Sequence, residues 1–326
     1  MTKDAVLQLL REQEDRYVSG AELAKELSLS RTAVWKAIGQ LKAEGYQIES
    51  VTNRGYRLSS GGDVLSTESV RKYLRHRELQ PEVYKTITST NTVLKARAAE
   101  GAPAGQVLIA GAQTAGRGRM GRSFYSPPDS GLYMSLLLRP RFSAREATRI
   151  TACAAVAVAE TVEELSGRAT QIKWVNDVLL DGRKICGILT EAAFDCESGQ
   201  LAYVIVGIGI NIAVPAGDFP AELRQIAGAA FDGKAIPELR AKLAAGVLDR
   251  LADYAVDPDN PACFEAYRAR SLVLGKAVNL LVPGREPERA QVLDLNRDYS
   301  LRVRMPDGSE RSVSSGEVSV RLSPST

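Results

Sequence analysis

The segment from residue 116 to residue 122 combines backbone freedom with dense positive charge. Its sequence, Gly-Arg-Gly-Arg-Met-Gly-Arg, contains three glycines and three arginines, and it follows the apolar stretch 107–110, which predicts a strand. Glycines let main-chain N–H groups approach a ligand closely, and arginines add permanently charged donors that suit carboxylate and phosphate. We therefore expect this segment, the Gly/Arg loop, to bind an anion.

The glycines of the Gly/Arg loop also match the G-x-G-x-x-G pattern of dinucleotide-binding domains. That pattern should open a helix, whereas residues 123–128, Ser-Phe-Tyr-Ser-Pro-Pro, predict a turn and extended chain. A P-loop is excluded as well, because no Gly-Lys-Ser/Thr follows. A solvated basic loop is the ordinary alternative, and the interleaved glycines argue against it.

The composition is that of an ordinary globular protein. The chain has 326 residues, of which 44% are hydrophobic and 25% are charged, and this length predicts two or three domains with a sizeable core. The net charge of +3 is too small to indicate nucleic-acid binding by itself. No signal peptide and no apolar run long enough to cross a bilayer is visible, which predicts a cytoplasmic protein.

The cysteines and the single histidine restrict the chemistry further. Cys153, Cys186, Cys196 and Cys263 form no C-x-x-C pair, so we expect reduced thiols and neither a zinc site nor a disulfide framework. His76 lies in a run of charged residues, which predicts a plain surface role. Because no second histidine exists, a histidine metal centre and a Ser-His-Asp triad are both disfavoured. The chemistry should come from Lys, Arg, Asp and backbone donors.

Residues 1–62 predict a helix-turn-helix followed by a β-hairpin wing. The second of three short helices begins at a capping box, Ser19-Gly20-Ala21-Glu22. The remaining predicted elements are a third helix over 31–44, capped by Ser30 and stopped by Gly45, and strands over 46–51 and 56–58 joined by residues 52–55.

In such a module the third helix enters the major groove with its first residues. Positions 31–60 hold five basic and two acidic residues, a local balance of +3 that agrees with DNA binding. The residues predicted to contact DNA are Ser30, Arg31, Thr32, Trp35, Lys36 and Arg54. A tryptophan at such a place is more often a core residue, and a helical protein-interaction module is the alternative to DNA binding.

A linker at 59–63 precedes an alternation of helices and strands, which predicts an α+β or mixed-sheet domain over residues 66–270. The predicted helices cover 67–76, 91–100 and 144–165, and the predicted strands cover 107–113, 132–138, 170–174, 185–191 and 202–210, with a tight hairpin turn at Asp181-Gly182. From 271 to 326, short strands separated by Pro-Gly and Pro-Asp-Gly predict a small SH3-like β-barrel.

Three further motifs accompany the Gly/Arg loop. They are Ser89-Thr90-Asn91, then Lys173-Trp174-Val175-Asn176-Asp177 with Lys184 and Gly187-Ile188-Leu189 downstream, and Gly207-Ile208-Gly209-Ile210-Asn211. Together they resemble the biotin protein ligases, and the winged helix in front makes the chain similar to the bifunctional members that also repress biotin genes. The resemblance covers all three predicted domains, and the spaced combination is far more specific than any single motif.

The resemblance implies a two-step reaction. Such enzymes join the biotin carboxylate to ATP, giving biotinyl-5′-adenylate and pyrophosphate, and then transfer biotin to one lysine of a carboxyl carrier domain. It implies ATP, Mg²⁺ and biotin as ligands, and carrier domain, operator DNA and a second copy of the chain in a ligand-promoted homodimer as partners. Bringing two anions together needs dense positive charge, which Arg117, Arg119, Arg122 and Lys184 can supply.

The resemblance also assigns roles to individual residues. Lys184, Arg119 and Asp177 are expected to be catalytic, and Mg²⁺ is expected with ATP, with Asp177 as a candidate neighbour and no certain ligand set. Residues expected to bind biotin or the adenylate are Ser89, Thr90, Asn91, Gln113, Gly116, Arg117, Gly118, Arg119, Arg122, Phe124, Asn176, Lys184, Gly187 and Asn211. A solvated lysine beside a hairpin is the ordinary interpretation of Lys184 taken alone.

The chain departs from the family pattern at two positions. Phe124 stands where the family usually has a tryptophan that is thought to stack on adenine, so nucleotide affinity is expected to be weaker. Val175 replaces a proline, and Trp174 beside it is expected to pack in the core. Two rival functions remain open: a ligase for a related acyl cofactor such as lipoate, and a transcription factor that senses a small molecule without catalysis.

Overall fold

The computed structural model describes residues 2–13, 16–43, 46, 48–52, 54–58, 63–139, 147–194, 201–231, 236–257, 260–282, 284–314 and 319–322. Two compact units account for the chain. One unit comprises residues 1–69 with 233–242, and the other comprises 70–232 with 243–326. No helix among the described residues combines the length and the apolar character that a bilayer-spanning segment needs.

The first unit contains the predicted helix-turn-helix and wing. Its elements are α1 (Thr2–Glu12), α2 (Gly20–Glu26), α3 (Arg31–Ala43) and the antiparallel strands β1 (Ile48–Val51) and β2 (Gly55–Leu58). The Ser19 and Ser30 hydroxyls each accept a backbone N–H at 3.1 Å, from Glu22 and Ala33, so both predicted N-caps are confirmed. The predicted stop at Gly45 lies outside the described residues.

The core of this unit is built by helix periodicity. Val34, Ala37, Ile38 and Leu41 of α3 are buried at spacings of three and four, where they meet buried leucines of α1 and α2. The opposite side of α3 is left facing solvent. This amphipathic division presents one polar helix face on the surface of the unit.

The second unit is built on a seven-stranded mixed sheet, as predicted. Its elements are α4 (Thr67–Tyr73), β3 (Gln80–Tyr84), α5 (Thr90–Ala99), β4 (Gln106–Ala110), β5 (Gly131–Leu138), α6 (Ala147–Ser166), β6 (Gln171–Lys173), β7 (Asp177–Leu180), β8 (Arg183–Phe194), β9 (Leu201–Asn211), α7 (Leu239–Val256) and α8 (Pro261–Ala269). The strand order is β3-β4-β5-β9-β8-β7-β6, with β3 and β4 parallel and all other neighbours antiparallel.

Local signals located most of these elements correctly. The turn at Asp181-Gly182 is confirmed, because both residues have positive φ, 49° and 73°, and Leu180 pairs directly with Arg183. Helix α4 ends at Tyr73 rather than at residue 76, since the N–H groups of Arg75 and His76 donate to the Asp249 carboxylate at 3.0 Å. Such a distant acceptor gives no signal in the local sequence.

Two strands differ from expectation. The strand predicted over 107–113 ends at Ala110, and beyond it an isolated parallel bridge between Ile87 and Gln113 continues the pairing, while the Gln113 N–H donates to the Ser126 carbonyl at 3.0 Å. Strand β3 was not predicted at all. It is a five-residue edge strand that contains Pro81 and alternates exposed with buried positions, so its apolar signal is short.

The middle of the sheet is the core of this unit. Strand β5 is buried from Gly131 through Leu137 and β9 is buried at most positions, as expected for strands covered on both faces. Helix α6 packs on β8 and β9 with a run of small buried residues from Ala152 to Ala159. Strands β8 and β9 therefore form a floor, packed against α6, over which loop residues can lie.

The C-terminal part of the second unit is a small antiparallel sheet. Its strands are β10 (Ala277–Leu281), β11 (Glu288–Leu295), β12 (Leu301–Arg304), β13 (Glu310–Val313) and β14 (Ser319–Leu322), in the order β13-β12-β11-β10-β14. A β unit at the predicted place is thus confirmed. Its closure into an SH3-like barrel stays a prediction.

Candidate active site and DNA-binding surface

A polar pocket lies where the N-terminus of α5 and the Gly/Arg loop meet strands β8 and β9. It is lined by Ser89, Thr90, Asn91, Gln113, Arg117, Phe124, Gly187, Leu189, Gly207, Ile208 and Gly209. Seven of these were expected to bind biotin or the adenylate. The pocket therefore brings together motifs that are more than 100 residues apart along the chain, from Ser89 to Gly209.

The start of α5 is held in place by side-chain hydrogen bonds. Ser89 is the N-cap, and its hydroxyl accepts the N–H of Thr92 at 3.4 Å. The Thr90 N–H donates to Gln113 Oε1 at 2.9 Å, and Gln113 Nε2 donates to Ser126 Oγ at 3.0 Å. These bonds satisfy N–H groups that the first helical turn leaves free, and they fix the end wall of the pocket.

The sheet register explains the floor of the pocket. Ser135, Gly207 and Leu189 lie opposite one another across β5, β9 and β8. Directly opposite residues of an antiparallel pair point to the same face. A second row on that face, two residues along each strand, runs through Tyr133, Gly209, Gly187 and Asp177. The glycine motifs are therefore spaced to leave two adjacent openings in one face of the sheet.

Asn91 fills the first opening. Its Nδ2 donates to the Leu189 carbonyl at 3.2 Å, and its Oδ1 accepts the fully buried Ser135 hydroxyl at 2.6 Å. A Cβ at Gly207 would overlap the Asn91 carboxamide, so only glycine fits there. Ser135 and Gly207 were not assigned from the sequence, although the period-two spacing of Gly207 and Gly209 was the available signal for the glycine.

Phe124 covers the second opening. A Cβ at Gly209 would lie 2.6 Å from Cε1 of the Phe124 ring, and one at Gly187 would lie 3.0 Å from its Cε2. The ring also packs edge-on against Tyr133, with centroids 6.3 Å apart. Phe124 additionally lines a larger hollow of about 1310 Å³ formed with residues 112–116 and 220–223. Its ring thus separates the polar pocket from that hollow.

Four predicted site residues meet in a charged cluster beside the pocket. Lys184 Nζ lies 2.7 Å from Asp177 Oδ1, and Asn176 Nδ2 donates to the same oxygen at 3.2 Å. Arg119 completes the cluster by donating from NH1 to Asn176 Oδ1 at 2.9 Å. The β7–β8 hairpin positions Asp177 and Lys184, while the Gly/Arg loop supplies Arg119. Lys184 Nζ also lies 6.0 Å from the centre of the Phe124 ring.

Burial shapes the electrostatics of this cluster. It lowers the pKa of Arg119, against the opposing charge of Asp177, because a partly desolvated guanidinium loses hydration. The fully buried Cys186 thiol has its pKa raised by desolvation, despite the nearby Lys184 charge. A thiol in that state is a poor nucleophile, so the chemistry of the cluster belongs to the lysine, the arginine and the carboxylate.

Other predicted ligand residues have different partners in the structure. Arg117 NH1 lies 3.3 Å from a Glu191 carboxylate oxygen, so its charge is already balanced. Asn211 does not line the pocket, because its Nδ2 donates to the Gly228 carbonyl at 3.1 Å and so anchors that segment. Arg122 is exposed, and its guanidinium has no hydrogen-bond or ion-pair partner within the described part of the chain.

Close packing requires glycine at position 116, and a backbone hydrogen bond closes the loop at Gly118. A Cβ at Gly116 would lie 2.6 Å from Ser126 Oγ, and Gly118 N–H donates to the Arg122 carbonyl at 2.7 Å. These contacts fold the Gly/Arg loop back on itself. Their part in ligand binding stays a prediction.

No group of three or more His, Cys, Asp or Glu side chains suited to a metal ion occurs among the residues that the structure describes. The carboxylate of Asp177 instead contacts Lys184. One carboxylate is nevertheless enough for a Mg²⁺ ion that is carried by nucleotide phosphates and keeps several waters. The donor set therefore suits a metal that arrives with its nucleotide.

Buried aromatic residues support the segment that leads to Asn176. Trp174 is buried, as expected, and its Nε1 donates to the Tyr299 carbonyl at 2.8 Å. The Tyr267 hydroxyl donates to the Val175 carbonyl at 3.2 Å, and its ring packs edge-on against Tyr299 at 5.2 Å. Residues of α8 and of the C-terminal sheet thereby hold the main chain just before the charged cluster.

The exposed face of α3 carries the residues predicted to contact DNA. Arg31, Thr32, Trp35 and Lys36 are all exposed, with Trp35 exposed by 66%. The interpretation of Trp35 as a core residue is therefore wrong, because the buried side of α3 already fills the core. A large exposed aromatic between basic side chains suits a nucleic-acid-facing surface.

The remaining two predicted DNA contacts have roles within the fold. The Ser30 hydroxyl caps α3. The Arg54 guanidinium lies 4.6 Å from the centre of the Tyr17 ring, and Arg57 lies 4.8 Å from it. The Tyr17 hydroxyl donates to Glu49 at 2.5 Å, which raises the pKa of Tyr17. The wing therefore presents two arginines, Arg54 and Arg57, that both lie against the Tyr17 ring.

His76 is not a plain surface residue. Its Nδ1 lies 2.6 Å from a Glu78 oxygen and its Nε2 lies 2.8 Å from an Asp253 oxygen, with the side chain exposed by only 22%. The hydrogen bonds to Asp253 and Glu78 raise the pKa of His76. The sequence prediction is wrong because Asp253 is 177 residues away along the chain.

The fold and the site define a protein of two parts, a helix-turn-helix unit and an α/β unit with a polar pocket beside a charged cluster. Residues 83–211 match the biotin/lipoate A/B protein ligase family, and residues 2–57 match a helix-turn-helix (HTH) domain. The bifunctional ligase/repressor BirA of Bacillus subtilis is 39% identical over 224 residues, or 68% of either chain. The chain therefore belongs to the biotin/lipoate A/B protein ligase family.

Two further relatives extend the comparison. The biotin–[acetyl-CoA-carboxylase] ligase of Mycobacterium tuberculosis is 35% identical over 213 residues, which cover 63% of this chain and 76% of the relative. The biotin protein ligase of Aquifex aeolicus, solved in complex with biotin and ATP, superimposes with a TM-score of 0.61 at 26% identity. That match covers 75% of this chain and 99% of the other.

Proposed function

We propose that the chain is an ATP-dependent biotin–[biotin carboxyl carrier protein] ligase that also acts as a biotin-responsive transcriptional repressor. The observation that carries this proposal is the polar pocket adjoining the cluster of Arg119, Asn176, Asp177 and Lys184. The same chain has an N-terminal helix-turn-helix unit, in which α3 presents an exposed, basic face. A small carboxylic acid fits the first feature, a phosphate fits the second, and DNA fits the third.

In the first step, a biotin carboxylate oxygen attacks the α-phosphorus of ATP, and pyrophosphate leaves with the electron pair of the broken P–O bond. Both reactants are anions, so the step needs fixed positive charge where they meet. Arg119 and Lys184 supply that charge from opposite sides of Asn176 and Asp177. Lys184 is held by Asp177 before the phosphate arrives and then shares its donors between the two.

In the second step, the amine of a carrier lysine attacks the acyl carbon of biotinyl-5′-adenylate, and AMP leaves. The incoming lysine must lose a proton to become a nucleophile. Asp177 is the carboxylate of the charged cluster and is placed to accept that proton or to orient the amine. Asp177 would be the protein carboxylate that holds a nucleotide-carried Mg²⁺, which would supply charge neutralisation in the first step.

The pocket favours biotin over lipoate as the acyl substrate. Ser89, Thr90 and Gln113 offer buried hydroxyl, amide and backbone groups at its closed end. These groups already bond to one another, and the ureido ring of biotin can add hydrogen bonds to them, whereas the dithiolane ring of lipoate has no N–H or carbonyl group with which to do so. A site built to hydrogen-bond its substrate rejects an analogue that lacks those groups by roughly 10⁴-fold or more.

Mass spectrometry of a carrier domain tests the ligase activity. The protein is incubated with ATP, the carrier and either biotin or lipoate, and the carrier is weighed. The proposal predicts the mass of one biotinyl group and no lipoyl adduct. A lipoylated carrier would favour the lipoate ligase alternative, and an unmodified carrier in both reactions would favour a sensor without catalysis.

The repressor activity follows from the exposed face of α3 and from symmetry. One winged helix covers one half-site, so we expect a ligand-promoted homodimer on a two-fold operator. Biotinyl-adenylate would order the Gly/Arg loop and favour the dimer, and the dimer would in turn bind the adenylate more tightly, because coupling is reciprocal. Carrier domain that lacks biotin would consume the adenylate and release the DNA.

Operator binding with and without biotin plus ATP tests this coupling. We expect tighter binding when both ligands are present. Arg31→Ala and Lys36→Ala should weaken DNA binding while keeping ligase activity, since both side chains lie on the exposed face of α3. DNA affinity that ignores the adenylate would contradict the regulatory half of the proposal and leave the ligase half standing.

The domain boundaries and the location of the protein form part of the same proposal. We assign residues 1–62 to the DNA-binding domain, 66–270 to the catalytic domain and 271–326 to an SH3-like barrel. The helix-turn-helix match over 2–57 and the separate five-stranded sheet support these limits. Because ATP, carrier and chromosome share that compartment in bacteria, we place the protein in the cytoplasm.

A further inference from the structure

Glu191 is a half-buried acidic residue that none of the sequence motifs includes. It lies on β8, two residues beyond Leu189, and therefore on the same face of the sheet as the pocket floor. Its side chain is exposed by only 15%. A carboxylate in that position must have partners, because an unpaired buried charge is costly.

Three donors from two separate elements converge on this carboxylate. Oε2 accepts Asn91 Nδ2 at 3.0 Å, and Oε1 lies 3.3 Å from both Lys95 Nζ and Arg117 NH1. Asn91 and Lys95 belong to α5, whereas Arg117 belongs to the Gly/Arg loop. Burial opposes the charge, but the Asn91 bond and the Arg117 and Lys95 charges together hold the pKa of Glu191 below its ordinary value.

This arrangement connects the Gly/Arg loop to the buried part of the pocket around Asn91. Both N–H donors of Asn91 are used within the protein, because its Nδ2 donates to Leu189 and Glu191, and its Oδ1 accepts from Ser135. It therefore acts as a wall. Of the seven residues of the Gly/Arg loop, Arg117 is the one that lines the pocket. It is bonded to the Asn91 wall through Glu191.

We propose that Glu191 is a positioning residue for substrate binding, which fixes Arg117 of the Gly/Arg loop against the Asn91 wall of the pocket. This inference rests on the proposed biotin ligase function. Without the carboxylate, Arg117 and Lys95 face each other as like charges and the loop loses its attachment to the wall. The ligand would then have to order the loop as it binds, and the free energy of that ordering would weaken its affinity. The charged cluster would stay intact.

The expected signature is a split between KM and kcat. In Glu191→Gln the KM for biotin should rise about tenfold, the effect of one charge-assisted hydrogen bond, while kcat stays within about threefold of the parent. Lys95→Ala should change KM little, because it keeps the bonds from Glu191 to Arg117 and Asn91. The double variant Arg117→Ala with Glu191→Gln should be no worse than Arg117→Ala alone.

Glu163 offers a matched control. It is a half-buried carboxylate with an arginine partner, Arg270, at 2.6 Å, and it has no contact with the pocket residues. Glu163→Gln should therefore lower thermal stability without raising the KM for biotin. If Glu191→Gln does not fold, Glu191→Asp keeps the charge but withdraws it by one methylene, and a folded protein with unchanged KM overturns the inference.

The experiment measures biotin-dependent pyrophosphate release by the full chain across biotin concentrations. The positioning role would be overturned if Glu191→Gln raised the KM for biotin no more than Glu163→Gln does. It would also be overturned if the effects of Glu191→Gln and Arg117→Ala on KM were fully additive. If the unaltered protein releases no pyrophosphate with biotin, the proposed function itself fails. An active parent with unaffected Glu191 variants defeats only the inference about Glu191.

Discussion

In the polar pocket, buried neutral groups bond to one another, and the network of Thr90, Gln113, Ser126 and Ser135 is complete before any ligand arrives. In the charged cluster, partly exposed charges are held by opposite charges, as in the 2.7 Å pair of Lys184 and Asp177. A complete neutral network fixes shape, whereas a charge pair can exchange one partner for another. The pocket is therefore built for selection and the cluster for a change of charge during reaction.

The largest expected effect comes from removing a cation of the cluster. Lys184→Ala and Arg119→Ala should each slow biotin-dependent pyrophosphate release by roughly 10²- to 10³-fold, because each loses a donor aimed at developing negative charge. The fold should persist, since Lys184 is partly exposed and Arg119 lies in the Gly/Arg loop. Thermal unfolding supplies the control, and an unchanged rate in either folded variant would remove that residue from the site.

A defect in the pocket should act on binding and stability together. The added methyl of Gly207→Ala would overlap the Asn91 carboxamide, so we expect a raised KM for biotin and a loss of about 1–3 kcal/mol of unfolding free energy. Gly39→Ala is the matched control, because nothing lies within 4 Å of a Cβ there. A Gly207→Ala protein as stable as the control would show that Asn91 can move without consequence.

Phe124 lies between the two regions and should have a moderate effect. If the ring contacts adenine, Phe124→Trp should tighten ATP or adenylate binding and Phe124→Ala should weaken it, each by several-fold, since stacking contributes about 0.5–1.5 kcal/mol beyond area burial. Biotin binding alone should change little. Equal changes in biotin and ATP affinity, measured by calorimetry, would assign the ring to the pocket alone.

The smallest expected effect concerns His76, which belongs to neither region. Its pKa is raised in the folded protein by Asp253 and Glu78, so its stabilising contribution is complete below its ordinary pKa of about 6.5 and is lost as pH rises through the raised value. The parent should therefore lose stability relative to His76→Gln as the pH rises above about 6.5. Parallel unfolding curves for the two proteins across that range would contradict this assignment.

Local signals in the sequence predicted much of the fold. Ser19 and Ser30 cap helices where capping residues precede amphipathic runs, and Asp181-Gly182 makes the expected hairpin. These features depend on neighbours within about four residues, which is why a single sequence reveals them. The weakest signal was the edge strand β3, whose few apolar residues alternate around a proline.

The candidate site was predictable only where a motif marked it. The motifs identified Lys184 and Asp177, and the family resemblance added Gln113, but neither pointed to Ser135 or Glu191, which lie outside every motif. Ser135 reaches Asn91 across 44 residues, and Glu191 reaches the same side chain across 100 residues. Such contacts are created by the order of strands β5, β9 and β8, which no local pattern specifies.

The cysteines illustrate the same limit. Spacing along the chain suggested four unrelated thiols, yet the buried Sγ atoms of Cys153 and Cys263 lie 3.3 Å apart, on α6 and α8. Cys196 lies outside the described residues. Packing of two helices, rather than a motif, brings the first two together.

The division between pocket and cluster is tested most directly by biotin binding to Lys184→Ala in the absence of ATP. The account predicts that biotin affinity, measured by calorimetry, changes by less than about tenfold, the worth of one charge-assisted hydrogen bond, while pyrophosphate release falls by roughly 10²-fold or more. A biotin affinity that falls as far as the rate would contradict it, because the cluster would then be part of the binding pocket rather than a separate device for the reaction.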